Sequence, residues 1–67
     1  MTLGQKLVAA RKVLGMTQLG VAEAAGVNYK TLAGWEQDRV DPRFFDLCLV
    51  AGVLGLSLDY LAGRDDE

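Results

Sequence analysis

Residues 17–36, TQLGVAEAAGVNYKTLAGWE, are the stretch of sequence that decides the fold. Thr17 can N-cap a first short helix, because its side-chain oxygen can accept a hydrogen bond from a backbone N–H that lacks a partner within the helix. Gly26 is suited to end that helix in a left-handed conformation, which costs glycine no steric strain. Asn28 can then cap a second helix. The stretch therefore predicts two helices joined by a tight turn at residues 25–27.

Apolar residues within the stretch recur at helical spacing, which gives each helix one inward face. They are Val21, Ala22 and Ala25 on the first helix, and Leu32 and Trp35 on the second. Two helices that meet across a three- or four-residue turn with glycine form a helix-turn-helix unit, whose second helix enters the major groove of DNA. The second helix, over about residues 29–37, is therefore the candidate recognition helix.

The sequence resembles the Cro/C1-type helix-turn-helix domains, the phage-repressor-like or XRE family, over about residues 2–62. The resemblance rests on Gln18, Ala22, Gly26, Val27, Thr31, Leu32, Trp35, Glu36 and the later Leu56, Ser57, Leu58 and Asp59. It implies a DNA-binding domain that regulates transcription. It also implies that Gln18 contacts a DNA phosphate, and that Tyr29 and Lys30 occupy positions that read bases. Arg11 and Glu36 match a buried salt bridge between the first and third helices.

The rest of the chain predicts three further helices and no strand. Their expected starts are a capping box at Thr2 and Gln5, a cap and first-turn proline at Asp41 and Pro42, and a cap at Ser57. The corresponding helices run over about residues 3–14, from residue 42 to 54, and over residues 58–61. We expect an all-α, compact five-helix bundle of the lambda-repressor-like type. Residues 1–62 form the DNA-binding domain, and residues 63–67 an acidic, frayed tail.

Length and composition exclude several classes of protein. A chain of 67 residues buries only roughly 60% of its unfolded surface, so association with a second chain is an expected source of stability. One Cys and no His leave no disulfide and no metal site, and no catalytic motif or phosphate-binding glycine loop is present. We therefore expect no enzyme activity and no cofactor. No apolar run approaches the roughly 18 residues of a membrane span, so a cytoplasmic protein without a membrane segment is expected.

The net charge of −2 is unusual for a DNA-binding protein, because phosphate neutralisation supplies most non-specific affinity. Three of the nine acidic residues lie in the tail, at residues 65–67. Residues 1–64 consequently carry seven basic and six acidic groups, a net charge of +1. The folded part is near neutral and lacks the strong basic excess that DNA binding favours.

The candidate DNA contacts are Gln18, Asn28, Tyr29, Lys30, Thr31, Arg39 and Arg43. Lys30 can donate to guanine O6 and N7, and a solvated polar face is the alternative interpretation of the same positions. Gly34 departs from the resemblance, since longer polar residues are common there. Either DNA approaches the backbone closely at Gly34, or the helix reads little sequence. Arg39 and Arg43 suit phosphate contacts, but a mixed-charge loop with Asp38 and Asp41 explains them as well.

The fourth helix is apolar on both faces. Its expected core stripe is Phe44, Leu47, Cys48, Val50, Ala51 and Leu54. A second apolar face comprises Phe45, Leu49 and Val53, with Leu56 nearby. Because a small monomer cannot cover both faces, the second one predicts a dimer or partner interface. Scattered exposed hydrophobic residues are the alternative.

Together these features predict a sequence-specific transcriptional regulator of the repressor type. It would act as a homodimer that places two recognition helices about 34 Å apart on a palindromic operator in double-stranded DNA. The alternative is a protein-interaction module, antitoxin-like or antirepressor-like, that binds a protein partner through the fourth helix. Weak basic charge, Gly34 and the second apolar face favour that alternative. Gln18 and the polar start of the recognition helix favour DNA.

Overall fold

The computed structural model describes residues 1–64. It contains five helices, which are α1 (Leu3–Val13), α2 (Gln18–Ala25), α3 (Tyr29–Glu36), α4 (Phe44–Leu54) and α5 (Leu58–Leu61). No strand is formed within these 64 residues. The predicted all-α class, with α2 and α3 as the helix-turn-helix, is confirmed.

Short-range caps set most helix boundaries, as the sequence predicted. Thr2 and Gln5 form the capping box of α1. The side chains of Thr17, Asn28 and Ser57 each accept a hydrogen bond from a backbone N–H in the first turn of the next helix. Gly26 ends α2 in the left-handed region with φ of 77°. These helices begin and end where local chemistry satisfies their terminal backbone groups.

The predicted start of the fourth helix is wrong. Asp41 and Pro42 lie in a loop outside any helix, and α4 begins at Phe44. Its N-cap is Arg43, which makes no side-chain capping bond. Proline has a fixed φ that suits extended backbone as well as a first helical turn, and it disfavours helical backbone in the residue before it. An Asp-Pro pair is therefore compatible with a loop that continues for two more residues.

The core lies where α1, α3 and α4 meet around α2. Its largest fully buried side chains are Trp35, Leu7, Leu32, Val21 and Val50. Ala22, Ala25, Ala51, Leu54 and Leu61 complete it. Their burial fixes the rotation of each helix about its axis, and so determines which residues of α3 and α4 face solvent.

The two predicted faces of α4 divide differently from the expectation. Phe44, assigned to the core, is 73% exposed. It borders an open apolar groove of about 390 Å³ that also contacts Leu3, Leu47 and Leu58. Val53 and Leu56, assigned to the outer face, are half-buried and pack against the core. The outer apolar surface is therefore an α4 patch made of Phe45 and Leu49 and bordered by Phe44.

Lys6 joins the first helix to the last one through a buried polar contact. The side chain of Lys6 is buried, and its Nζ donates to the carbonyl oxygen of Tyr60 at 2.6 Å. The same Nζ lies 4.6 Å from the centroid of the Tyr60 ring, in cation–π geometry. Lys6 thereby fastens α5 onto α1.

Asp38 joins the loop after α3 to the start of α1. Its carboxylate accepts from the Thr2 hydroxyl at 2.6 Å and from the backbone N–H of Gly4 at 2.9 Å. These hydrogen bonds favour the charged form and hold the pKa of the Asp38 carboxyl below its usual 3.8. Asp38 adopts a left-handed backbone with φ of 58°, a conformation that Asp tolerates better than most residues.

None of the helices within residues 1–64 has the length and apolar composition of a membrane span.

The tail that the sequence predicts to be frayed falls mostly on residues 65–67, which lie outside the described residues. Gly63 and Arg64 lie within the described residues, and their backbone N–H groups donate to the carbonyl oxygens of Tyr60 and Asp59. The frayed tail stays a prediction.

Candidate nucleic-acid interface

The start of α3 presents a polar, exposed surface. Leu32 and Trp35 are buried, so Lys30 points away from the core on the opposite side of the helix. Tyr29 is 46% exposed, and Thr31 is also exposed. These are the side chains that a recognition helix would offer to base edges.

Asn28 has a structural role in this arrangement. Its Oδ1 accepts from the backbone N–H of Lys30 at 2.8 Å, which caps α3. The predicted DNA contact at Asn28 would have to come from the remaining amide nitrogen. The cap sets the point where α3 begins, and so which residues occupy its exposed first turn.

Two concave surfaces flank the first turn of α3. One, of about 530 Å³, is bordered by Gln18 and Leu19 at the start of α2, by Tyr29 at the start of α3 and by Arg11 of α1. The other, of about 490 Å³, lies between α3 and the following loop and is bordered by Asn28, Thr31 and Arg43. The structure therefore brings five of the seven candidate contact residues to the rims of two adjacent grooves. Lys30 projects from the helix that lies between those grooves.

Arg11 and Glu36 form a bidentate ion pair between α1 and α3. Arg11 Nε lies 2.9 Å from Glu36 Oε2, and Nη2 lies 3.1 Å from Oε1. The two side chains are only 15% and 3% exposed, respectively. Arg11 Nη1 also donates to the carbonyl oxygen of Met16. Three of the five N–H groups of Arg11 are thus engaged inside the protein, and its charge is paired with that of Glu36.

Gln18 belongs to the same network, which the sequence did not indicate. Its Nε2 donates to Glu36 Oε1 at 2.8 Å. The two residues are 18 positions apart and sit on different helices. A contact over this separation leaves no pattern in the local sequence that would indicate it. The resemblance pointed separately to a Gln that contacts phosphate and to an Arg–Glu pair, and the structure joins them.

Gly34 lies beneath the side chains of Val40 and Arg39 in the loop after α3. A Cβ at Gly34 would lie 3.6 Å from Val40 Cγ2 and 4.0 Å from Arg39 Nη2. Gly34 is buried under this loop, so it is not open to close approach by a DNA backbone. The exposed side chain of Arg39 lies over the position where the resemblance led us to expect a longer polar residue.

The acidic residues of the loop do not pair with its arginines. Arg43 pairs with Asp46, at 3.1 Å between Nη2 and Oδ2, and is 88% exposed. Asp38 is engaged with Thr2 and Gly4 instead. Within residues 1–64 the ion pairs are Arg11–Glu36 and Arg43–Asp46, so Lys30 and Arg39 are exposed cations outside any ion pair. They give the α3 side of the molecule a modest positive charge.

Comparison with known proteins agrees with this geometry. A family model described as helix-turn-helix matches residues 7–61. The chain belongs to the Cro/C1-type helix-turn-helix family. This confirms the resemblance seen in the sequence.

Two curated relatives of this helix-turn-helix chain come from Bacillus and one of its phages. The immunity repressor protein of Bacillus phage phi105 is 38% identical over 65 residues, which cover 97% of this chain and 45% of the relative. The HTH-type transcriptional regulator ImmR of Bacillus subtilis (strain 168) is 35% identical over 66 residues, which cover 98% and 52%. The chain thus spans about half the length of the curated relatives it matches.

Solved structures share the whole arrangement of helices. The crystal structure of the P22 c2 repressor in complex with synthetic operator 9T has a TM-score of 0.89 at 28% identity, and the match covers 97% of this helix-turn-helix chain and 98% of that one. The solution structure of the DNA-binding domain of the P22 c2 repressor has a TM-score of 0.88 at 27% identity, with coverage of 100% and 88%. The five-helix fold is therefore that of the phage repressor domains.

Proposed function

We propose that this protein is a sequence-specific DNA-binding transcriptional regulator of the repressor type. The observation that carries the proposal is the exposed first turn of α3, with Lys30 at its apex and Gln18 beside it at the start of α2. Two relatives bear the names immunity repressor and transcriptional regulator. A structural neighbour that shares the fold is a repressor in complex with an operator.

In the proposed mechanism α3 lies in the major groove. Lys30 donates to guanine O6 and N7, and Tyr29 contacts a thymine methyl group or a phosphate. The start of α2 faces one phosphate strand, where its terminal backbone N–H groups and the amide of Gln18 act as donors. Thr31, Arg39 and Arg43 contact phosphates on the other side of the groove. With these contacts on both sides of α3, the phosphates of the DNA would hold the recognition helix in register with the bases.

The modest charge sets the expected strength of binding. Residues 1–64 carry a net charge of +1, and Arg11 and Lys6 are engaged inside the protein. Few cations remain to neutralise phosphates, so a single copy is expected to bind weakly and with a shallow dependence on salt. Binding of two copies to adjacent half-sites would multiply the weak contacts.

We further propose that the protein acts as a homodimer through the α4 patch. Phe45 is 71% and Leu49 37% exposed, and the two lie one helical turn apart. Phe44, which is 73% exposed, extends the same apolar surface. Exposed aromatic side chains of this size are typical of interfaces between proteins. Dimerisation would place two α3 helices on one face of the DNA, over half-sites separated by one helical turn.

The second candidate function is a protein-interaction module that binds a protein partner and not DNA. The same α4 patch favours it, because the patch fits a heteromeric partner as well as a second copy. The low net charge favours it too. No contact in the described residues points to a particular partner, so DNA remains the primary proposal. We place its site of action in the cytoplasm, together with the DNA.

Selection from a random library of double-stranded DNA tests the primary proposal. Enriched sequences are expected to contain related half-sites, and their affinity for the protein is then measured by fluorescence anisotropy across salt concentrations. Lys30→Ala should weaken binding by about 1–3 kcal/mol and relax the preference at one base position. Arg64→Ala removes one positive charge at the far end of α5 and serves as the matched control, with little expected effect. If nothing is enriched and no fragment binds at low salt, the protein is not a DNA-binding regulator.

A further inference from the structure

The side-chain amide of Gln18 is held by a buried carboxylate. Glu36 is 3% exposed, and its Oε1 accepts from Gln18 Nε2 at 2.8 Å and from Arg11 Nη2 at 3.1 Å. Its Oε2 accepts from Arg11 Nε at 2.9 Å. The carboxylate therefore bonds a guanidinium from α1 and an amide from α2 at the same time.

The chemistry of Glu36 fixes the orientation of the Gln18 amide. An ionised carboxylate only accepts hydrogen bonds, so the nitrogen of Gln18 must face it and the oxygen must not. The reversed amide would set two acceptors against each other. An amide nitrogen carries two hydrogens, and only one is used by Glu36. The other remains a donor at the start of α2.

Arg11 makes this arrangement compatible with an anion nearby. A lone buried carboxylate beside the start of α2 would repel a phosphate and oppose the favourable field of the helix N-terminus. The bidentate pair with Arg11 neutralises that charge at a separation of 2.9 Å. The ion pair thereby supplies an acceptor that orients Gln18 without leaving a net negative charge at the site.

We propose that Glu36, held by Arg11, is a positioning residue that keeps the Gln18 amide in the orientation that donates to a DNA phosphate. The inference rests on the proposed DNA-binding function and deepens it. In this proposal the effect of Arg11 and Glu36 on binding passes through Gln18 and not through contacts of their own with DNA.

The first measurement uses the protein without DNA. In ¹⁵N-labelled protein, the side-chain amide of Gln18, assigned by loss in Gln18→Met, is expected to show one strongly shifted, slowly exchanging proton. Gln37 is exposed and provides the reference for a free amide. Replacing the pair together, Arg11→Met with Glu36→Met, should move the Gln18 signals to the position of Gln37. The double replacement is chosen because removal of one partner would leave an uncompensated buried charge, whereas apolar substitutes preserve folding.

The second measurement is a double-mutant cycle on DNA affinity. Gln18→Ala should weaken binding about tenfold, as expected for loss of a hydrogen bond to a charged group. The paired Met replacement should weaken binding by a similar factor in the wild type and by no further factor in the Gln18→Ala background.

Two results would overturn the positioning role. One is a Gln18 amide that already resembles that of Gln37 in the wild type. The other is an equal loss of affinity from the paired replacement in both backgrounds. If neither the wild type nor any variant binds DNA, the proposed function itself fails, and the amide spectra still decide whether Glu36 orients Gln18.

Discussion

At the scale of single residues, two helical glycines lie in opposite surroundings. A Cβ on Gly4 would lie 2.5 Å from the carbonyl oxygen of Glu36 and 2.6 Å from that of Trp35, both backbone atoms. A Cβ on Gly52 would meet no atom within 4 Å. Gly4→Ala is therefore expected to destabilise the protein by about 1–3 kcal/mol, because α1 must move away from α3. Gly52→Ala should stabilise it by about 0.5–1 kcal/mol through helix propensity.

Urea unfolding of the two variants checks this prediction, since each substitution adds the same methyl group to a helix. Equal effects of Gly4→Ala and Gly52→Ala would contradict the close approach of α1 to the end of α3. Neither glycine stands out in the sequence, where a helical glycine costs stability whatever its surroundings. Only the packing of α1 against the carbonyl groups of α3 distinguishes Gly4.

Asp38 makes a pH-dependent contribution to stability. Its hydrogen bonds to Thr2 and Gly4 lower its pKa below 3.8 in the folded protein. Because the folded pKa lies below the unfolded one, the contribution is fully present above the unfolded pKa and is lost as the pH falls through the folded pKa. Asp38→Asn should therefore reduce stability at pH 7, and its difference from the wild type should shrink below pH 3.8. Urea midpoints at pH 7 and at lower pH values measure this.

A direct test of the Asp38 contacts is a titration of its carboxyl carbon by NMR. Asp41→Asn is the matched control, because it removes a charge from the same loop and keeps the contacts of Asp38 with Thr2 and Gly4. A midpoint at or above 3.8 for Asp38 would show that the loop is not held to α1 in this way.

At the scale of secondary-structure elements, α4 begins with a poor cap. Arg43 occupies the N-cap without a side-chain capping bond, and its ion pair with Asp46 is on the surface. Arg43→Ser should stabilise the protein by about 0.5–1 kcal/mol, because serine can accept from the first turn and an exposed ion pair contributes little. If Arg43 contacts a phosphate, the same change weakens DNA binding and lowers its salt dependence.

Thermal unfolding and salt-dependent anisotropy of one Arg43→Ser preparation measure the two effects together. Gain of stability with loss of affinity would identify Arg43 as a residue kept for function at the expense of the cap. Unchanged affinity would assign the arginine to the mixed-charge loop, the alternative that the sequence left open. Arg39→Ser is a useful comparison, since Arg39 lies in the same loop and outside the N-cap.

Helix boundaries that depend on local chemistry were predictable from the sequence, and those that depend on the rest of the fold were not. Thr17, Gly26 and Ser57 act within one helical turn, so spacing reveals them. Asp41 and Pro42 are locally good starts for a helix, yet they lie in a loop before α4. The exposure of Phe44 has the same origin, because none of the helices within residues 1–64 covers its ring.

The candidate interface shows the same division. The exposed residues of α3 follow from its apolar face, and the sequence indicates them. The contact of Gln18 with Glu36 and the cover of Gly34 by Val40 and Arg39 depend on elements far apart in the chain. Such contacts leave no periodic pattern. A single sequence could therefore identify the candidate recognition helix, but not the hydrogen bonds between α2 and α3 or the loop contacts that support it.

At the scale of the whole molecule, the α4 patch and the low net charge both bear on whether the protein acts as a monomer or as a homodimer. A chain of 67 residues has a small core. Exposure of the α4 patch, Phe45 and Leu49 bordered by Phe44, to water costs free energy unless the patch is covered. The affinity for DNA that one copy obtains from few phosphate contacts would likewise rise if a second copy bound the adjacent half-site. The homodimer proposed above would cover the α4 patch and would add a second α3 helix to the contacts with DNA.

Phe45→Glu tests the dimer, with Val13→Glu as the matched control. Both replace an exposed apolar side chain, 71% and 85% exposed, by a carboxylate, but Val13 lies at the end of α1 and outside the α4 patch. The wild type and Val13→Glu are expected to sediment as dimers at high micromolar concentration, and Phe45→Glu as a monomer with an unchanged fold. Phe45→Glu should also bind a palindromic site with lower affinity and without cooperativity, because each half-site is then occupied independently. A wild type that remains monomeric both free and on DNA would assign the patch to another partner.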